Sequence, residues 1–283
     1  MTSYKIKQIE VLTGIKAHTL RIWEKRYDLL NPSRTETKIR AYSDEDLKCL
    51  LNIAVLYDNG WKISKIAALS RKEISELVQK ETKATAGANS IVNLLIQALI
   101  QNNSFEFESI LDAAIQQDGF YTTYLECALP FLNRIGILWT TGSINVSQEH
   151  FASSLIRQKL IAAIDKLETP KADNISYVLF TPEGEPHEMS LLFYQFMLKN
   201  KGHSLIYLGI NVPESELHHF IESVKPKALI TSLVKSNDIE STLSYFERLK
   251  KFNLPIYGKG WFVEHAQLIE KGVILDIHEL LSE

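Results

Sequence analysis

The 283-residue chain is 45% apolar and 23% charged, the make-up of an ordinary globular protein large enough for two or three domains. It holds no stretch of about 18 uncharged apolar residues, and its start, MTSYKIKQIE, lacks the apolar core of a signal peptide; no membrane span is expected, and a cytoplasmic location is. Cys49 and Cys127 are far apart in helix-like stretches, which argues against a disulfide scaffold or zinc cluster and suits two buried thiols.

The formal net charge of −3 conceals an asymmetry. Residues 1–80 carry 15 Lys+Arg against 10 Asp+Glu, and the remainder 16 against 24. A basic head on an acidic body points to a polyanion met by the head alone.

Residues 1–80 read as helices. KIKQIEVLTG places Ile6, Ile9 and Leu12 inward and closes at Gly14, and KAHTLRIWEKRY follows with Leu20, Trp23 and Tyr27 at helical spacing. Two short helices across a glycine turn make a helix-turn-helix candidate. Leu20, Ile22 and Trp23 are expected to pack, with His18, Thr19, Arg21 and Arg26 exposed. LLNPSRTETKIRAYS is polar and proline-interrupted; SDEDLKCLLNIAVLYDNG then opens on an acidic helix start and ends at Asn59-Gly60. In isolation such a basic helix is most often a solvated face, but the adjoining Arg34, Lys38 and Arg40 favour a nucleic-acid surface.

The order Thr19-Leu20-Arg21-Ile22-Trp23-Glu24-Lys25-Arg26-Tyr27, then Arg40-Ala41-Tyr42, then Asp46-Leu47, resembles the winged helix-turn-helix of MerR-type regulators over about the first 75 residues. The resemblance implies DNA contacts by Thr19, Arg21, Arg40 and Tyr42, phosphate contacts by Arg26 and Lys38, a packing role for Trp23, and dimers on near-palindromic promoter DNA.

KETKATAGANS (80–90) reads as a linker. Over 90–168 the spacing is helical throughout: SIVNLLIQALIQ, FEFESILDAAIQQ, YTTYLECALPFLNRIGILW and SQEHFASSLIRQKLIAAIDKLE predict a four-helix bundle. From 174 to 283 short β-rich runs (SYVLFTP, HSLIYLGINVP, KALITSLV, LPIYGKG, VILDI) alternate with helical stretches. That alternation predicts a doubly wound parallel sheet of flavodoxin-like kind. The chain is therefore a multidomain α and α/β protein.

TPEGEPHEMS puts His187 in the loop after the first of those strands, where such sheets bind ligands. Alone, a histidine there is more often a capping or surface residue than a ligand. The chain has no HExxH, CxxC, GxGxxG or GxxxxGK[ST] pattern, so metal hydrolysis, dinucleotide redox chemistry and phosphate-loop chemistry find no support.

Glu185-Pro186-His187-Glu188-Met189-Ser190 resembles the D/E-x-H-x-x-G loop of cobalamin-binding domains, whose histidine is the lower ligand of cobalt. LGINVP (208–213) resembles that fold's second-strand turn. Thr231-Ser232-Leu233 and Gly258-Lys259-Gly260 fall where the family has S-x-L and paired glycines near the cofactor's nucleotide tail. Ser190 stands in place of a glycine, and Lys259 splits the glycine pair.

In the bundle, nine residues separate Trp139 from the pair Glu149-His150, which resembles the Trp–nine–Glu–His signature of light-responsive CarH/LitR regulators. There the bundle caps the upper face of adenosylcobalamin. Tryptophan covers the adenosyl group, glutamate bonds it, and the histidine takes the cobalt after photolysis.

The full resemblance implies a non-enzymatic repressor that senses light through adenosylcobalamin as a homo-oligomer, dimer or tetramer, and controls carotenoid or photoprotection genes. A second reading keeps the DNA-binding head and drops the cofactor, giving a repressor governed by a protein antirepressor. A third makes the chain a cobalamin-carrying methyltransferase or mutase subunit.

Overall fold

The computed structural model describes residues 4–30, 32–34, 40–82, 87–140, 144–168, 176–234, 239–260, 268–270 and 272–282. Of the residues assigned to DNA, Lys38 lies outside that set. Contacts divide the chain into two compact units, Met1–Ile156 and Arg157–Glu283.

In the first unit, α1 (Ile6–Thr13) and α2 (Ala17–Tyr27) enclose the turn. Gly14 ends α1 in the left-handed region (φ 76°), donating its N–H to the Glu10 carbonyl, a conformation that favours glycine. The Glu10 carboxylate then spans the turn. It accepts the Ala17 amide at 3.2 Å and pairs with Lys16 at 3.1 Å, which supplies the cap that Lys16, at the N-cap position, does not. Ile9, Leu12, Leu20 and Trp23 are buried between the helices and their neighbours.

The wing is a ribbon of β1 (Ser33–Arg34) antiparallel to β2 (Arg40–Ala41). Then come α3 (Asp44–Asp58), α4 (Ile63–Ile66) and α5 (Arg71–Thr82). The expected acidic start of α3 is a capping box, with Ser43 and Asp46 bonding each other's backbone N–H.

Helices α6 (Ala88–Ile100), α7 (Ser104–Thr123), α8 (Leu129–Thr140) and α9 (Val146–Asp165) follow, so regular helix enters both ends of the expected linker. Phe107 meets Phe131 and Phe151 edge-on, at 5.3 and 5.8 Å between ring centres. Two irregularities escaped the periodicity. Gly119 interrupts α7 (φ 78°, ψ 161°), and a π-helical turn, Tyr124–Ala128, precedes α8. Pro130, second residue of α8, has no N–H for the preceding turn, which is where helices loosen.

The basic head and the bundle helices pack together within this unit. The Ser90 hydroxyl donates to Asn59 Oδ1 at 3.0 Å. Arg134 of α8 donates to Asn93 Oδ1 of α6 at 2.8 Å and to the Leu12 carbonyl of α1 at 3.4 Å.

The second unit contains a five-stranded, all-parallel sheet in the order β4 (Leu205–Val212), β3 (Tyr177–Pro182), β5 (Ala228–Leu233), β6 (Ile256–Gly260), β7 (Leu275–Asp276). Between and after these strands run α10 (Met189–Asn200), α11 (Glu214–Val224), α12 (Ile239–Leu249) and α13 (Ile277–Ser282). Val178 and Phe180 of β3, with Leu229 and Leu233 of β5, form a core with Leu217, Ile221, Phe246 and Leu249. This is the flavodoxin-like order expected. Winding reverses between β3 and β5, so the loops leaving those strands open a crevice at their C-terminal ends. Among the described residues, no helix is long and apolar enough to cross a membrane.

Candidate functional site

On α2 the outward face carries His18, Arg21, Ile22, Lys25 and Arg26, all exposed, while Thr19 is half-buried. Arg26 lies over the Tyr27 ring, 5.4 Å from its centre. The one carboxylate within α2, Glu24, is turned away. It accepts Arg40 Nε at 2.8 Å and the Tyr42 hydroxyl, so α2 presents only neutral and positive side chains outward.

Two placements differ from the sequence reading. Tyr42, assigned to DNA, is wholly buried. Its backbone pairs with Tyr4 in both directions, and its ring belongs to the core. Burial first, then the bond to Glu24, raises its phenol above the ordinary tyrosine value. Tyr42 thus orients Glu24 and Arg40 from inside. Ile22, expected to pack, is 55% exposed, because Leu20 and Trp23 already fill the inward stripe.

In the bundle, Trp139 near the end of α8 is 51% exposed. Glu149 and His150 lie in the first turn of α9, paired through His150 Nδ1 and Glu149 Oε2 at 2.9 Å. An indole left half in solvent and a carboxylate–imidazole pair are groups suited to covering a flat polar ligand.

In the second unit, Glu185 and His187 sit at the switch point. The Glu185 carboxylate is fully buried, and its Oε1 lies 2.6 Å from His187 Nδ1 and accepts the His187 amide at 3.1 Å. Its Oε2 accepts the Val234 amide, just beyond β5, at 2.7 Å. The Glu185 carbonyl accepts the Thr181 hydroxyl at 2.6 Å. Asn211, at the bulged end of β4, holds the same loop: its amide donates to Thr181 Oγ1 at 3.1 Å and its Oδ1 accepts Gly184 N–H at 3.0 Å. A neutral imidazole donating its Nδ1 proton to this carboxylate would leave its lone pair on Nε2, the arrangement found behind metal-ligating histidines.

Ser232, near the end of β5, is wholly buried, and its hydroxyl has no hydrogen-bond partner among the described residues. An orphaned hydroxyl beside a ligand crevice is a group awaiting a polar partner. Thr231 is orphaned likewise, but with Leu229 and Leu233 it alternates to the other face of the sheet. Gly258 and Gly260 lie opposite Thr231 and Leu233 in β6. A Cβ on Gly258 would stand 3.0 Å from the Thr231 carbonyl and methyl and 3.2 Å from Ile274, so a larger residue here would press on the protein's own packing.

The donor set fits cobalamin. His187 would offer the cobalt an imidazole nitrogen, and Glu185 would hold that imidazole in place. Among the described residues no cluster of three or more His, Cys, Asp or Glu could hold a bare ion instead.

Comparison with known proteins agrees in chain order. Residues 4–73 match the model of the MerR HTH family of regulatory proteins, and residues 91–164 match that of a B12-binding domain. The chain carries a MerR-type head and a B12-binding domain. It is homologous to two repressors of Myxococcus xanthus: the HTH-type transcriptional repressor CarH (27% identical, covering 91% of this chain and 89% of that protein) and CarA (29%, 86% and 81%). A solved structure, the Methanosarcina barkeri monomethylamine corrinoid protein, superposes with a TM-score of 0.52 at 15% identity, over 65% of this chain and 90% of that one; at that identity the likeness is one of fold. The B12-binding match falls on helices α6–α9, the helices bearing Trp139, Glu149 and His150.

Around His187 the structure adds groups not singled out in the sequence. Glu188, next to His187, accepts Arg157 Nε at 2.5 Å and the Tyr207 hydroxyl at 2.8 Å. Together with Thr181 and Asn211 they brace the histidine loop. Their signal in sequence was slight, since polar residues at strand ends are common. Arg134 had a better one, as a lone arginine in the apolar run LPFLNRIGILW.

Proposed function

We propose that the protein is a DNA-binding transcriptional repressor, cytoplasmic and without enzymatic activity, that takes adenosylcobalamin as its light-sensing cofactor. One observation carries the cofactor half: His187 is held by a buried carboxylate at the switch point of a flavodoxin-like sheet. In this reading His187 would hold the cobalt through Nε2, and Glu185 would fix its tautomer and heighten its basicity. Ser232 bonds the nucleotide tail beside Gly258 and Gly260. Trp139 would pack on the adenosyl group, Glu149 would bond it, and His150 would supply a second imidazole. Bound adenosylcobalamin would supply a cobalt–carbon bond that light can break.

The head supplies the output. Arg21, Arg26 and Arg40, with Thr19, meet promoter DNA, and Tyr42 acts by holding the Glu24–Arg40 pair beneath that surface. Oligomerisation of the cofactor-loaded chain multiplies the heads engaged on one operator, so affinity rises without new base contacts. A light-driven change in assembly then releases DNA, as a shift between two populations that bind the cofactor differently. Carotenoid or photoprotection genes are the proposed targets. The homology to CarH and CarA supports the repressor reading, and the B12-binding match supports the cofactor.

The test is to purify the full chain in darkness with adenosylcobalamin and follow absorbance and size by chromatography before and after green light. Retained cofactor, with both signals changing on illumination and retention lost in His187→Ala, is the expected result. A chain that binds promoter DNA yet retains no cobalamin would replace this reading with a repressor under a protein antirepressor. A chain that retains cobalamin but binds no DNA in any state would favour a corrinoid carrier subunit.

A further inference from the structure

Resting on the DNA-binding reading above, we infer that Ile22 is a base-reading residue of the recognition helix, packing against the C5 methyl of a thymine in the major groove. Ile22 is 55% exposed at the centre of the outward face of α2. It stands one turn beyond His18 and beside Arg21, with Lys25 and Arg26 following, all exposed.

A single exposed aliphatic residue usually needs no explanation. Here three observations ask for one. The inward stripe of α2 is complete without Ile22, since Leu20 and Trp23 are buried. A β-branched residue is no aid to an exposed helix position, where a straight-chain residue serves better. The surrounding charge is uniformly basic, because Glu24 is held inward by Arg40 and Tyr42, so the surface the isoleucine presents is one a polyanion approaches. A protein partner for so small an apolar spot in a ring of cations would itself have to be acidic, and a duplex offers both phosphates and a methyl group. In the major groove the thymine methyl is the one apolar feature that marks a base pair, and short aliphatic contacts read it. Flanking cations would fix α2 on phosphates while Ile22 supplies sequence preference.

The contact is tested by removing the methyl alone. The full chain, in darkness with adenosylcobalamin and also without it, selects duplexes from a random pool. The preferred duplex is then remade with deoxyuridine replacing each thymidine in turn. Wild type is expected to bind about fourfold more weakly when one particular methyl is missing, the worth of one buried methyl group. Ile22→Ala should bind the thymidine and deoxyuridine duplexes equally, and Ile22→Val should keep most of the discrimination. Thermal melts of both variants should match wild type, since the side chain is outside the core. Equal binding of all deoxyuridine duplexes by wild type, or unchanged discrimination in Ile22→Ala, overturns the role of Ile22 while DNA binding stands. Selection of no duplex at all, with Arg21→Ala indistinguishable from wild type, overturns the DNA-binding reading itself and this inference with it.

Discussion

The buried carboxylate of Glu185 lies 2.6 Å from Nδ1 of His187 and also accepts the amides of His187 and Val234. One side chain therefore fixes the imidazole, its own loop and the end of β5. Glu185→Gln keeps the shape but puts a donor where an acceptor is needed, so at least one of the three N–H groups loses its partner. Cobalamin affinity is expected to fall about 10–100-fold, read by absorbance titration in darkness. The absorption bands of bound cobalamin should also change as the ligand's basicity drops. Unchanged bands and affinity would mean that the carboxylate holds the loop only.

Gly258 separates two explanations of a small residue near a ligand. A Cβ there would stand 3.0 Å from Thr231 and 3.2 Å from Ile274, tighter than ordinary packing, so these neighbours must give way. Gly258→Ala is expected to cost the cofactor-free protein about 1–3 kcal/mol, seen as a lower midpoint in a urea melt. A normal melt with weakened cobalamin binding would instead mean that the glycine serves the ligand.

The order of strands and the position of His187 were legible because both follow from short-range signals: β-rich runs separated by helical ones, and a loop after the first run. What escaped depended on which face had already been filled. Ile22 has a core residue's chemistry, but Leu20 and Trp23 occupy the inward stripe. Tyr42 looks like a wing residue, yet its backbone pairs with Tyr4, some forty residues earlier, and that pairing draws the ring inside. The brace of Arg157, Glu188 and Tyr207 joins residues from α9, the histidine loop and β4, a grouping that sequence spacing cannot express. The π-helical turn before Pro130 follows from one missing N–H and is invisible to a 3.6-residue period.

Alkaline pH should loosen both units. Tyr4, Tyr42, Tyr194, Tyr207 and Tyr245 all have phenols raised above the ordinary value, in each case by burial first and then by a neighbouring carboxylate. The folded chain keeps these protons where the unfolded chain releases them. Their contribution is therefore complete below about pH 10 and declines as pH rises beyond it. Melting temperature should hold level up to about pH 9 and then fall, with tyrosinate absorbance appearing together with unfolding. Tyrosinate from these five residues in a still-folded protein at that pH would contradict their burial.

Arg134 carries the polar seam between α8, α6 and α1. Its guanidinium donates to Asn93, which is buried, and to the carbonyl of Leu12 near the end of α1. Burial lowers its pKa and Asp58 opposes that shift; burial in turn raises the Asp58 carboxyl, which Arg134 opposes. Each group thus makes the other's charge tolerable. Arg134→Met fills similar volume but leaves the Asn93 oxygen unpartnered and the Asp58 charge uncompensated. The loss should be on the order of 3 kcal/mol, measured by urea unfolding with an unchanged slope. Adding Asp58→Asn should return part of that loss, because the second change removes the stranded charge, and the double-mutant cycle isolates their coupling. If Arg134→Met costs less than about 0.5 kcal/mol, the contact is incidental and the packing of α3 and α1 on the bundle helices holds the head.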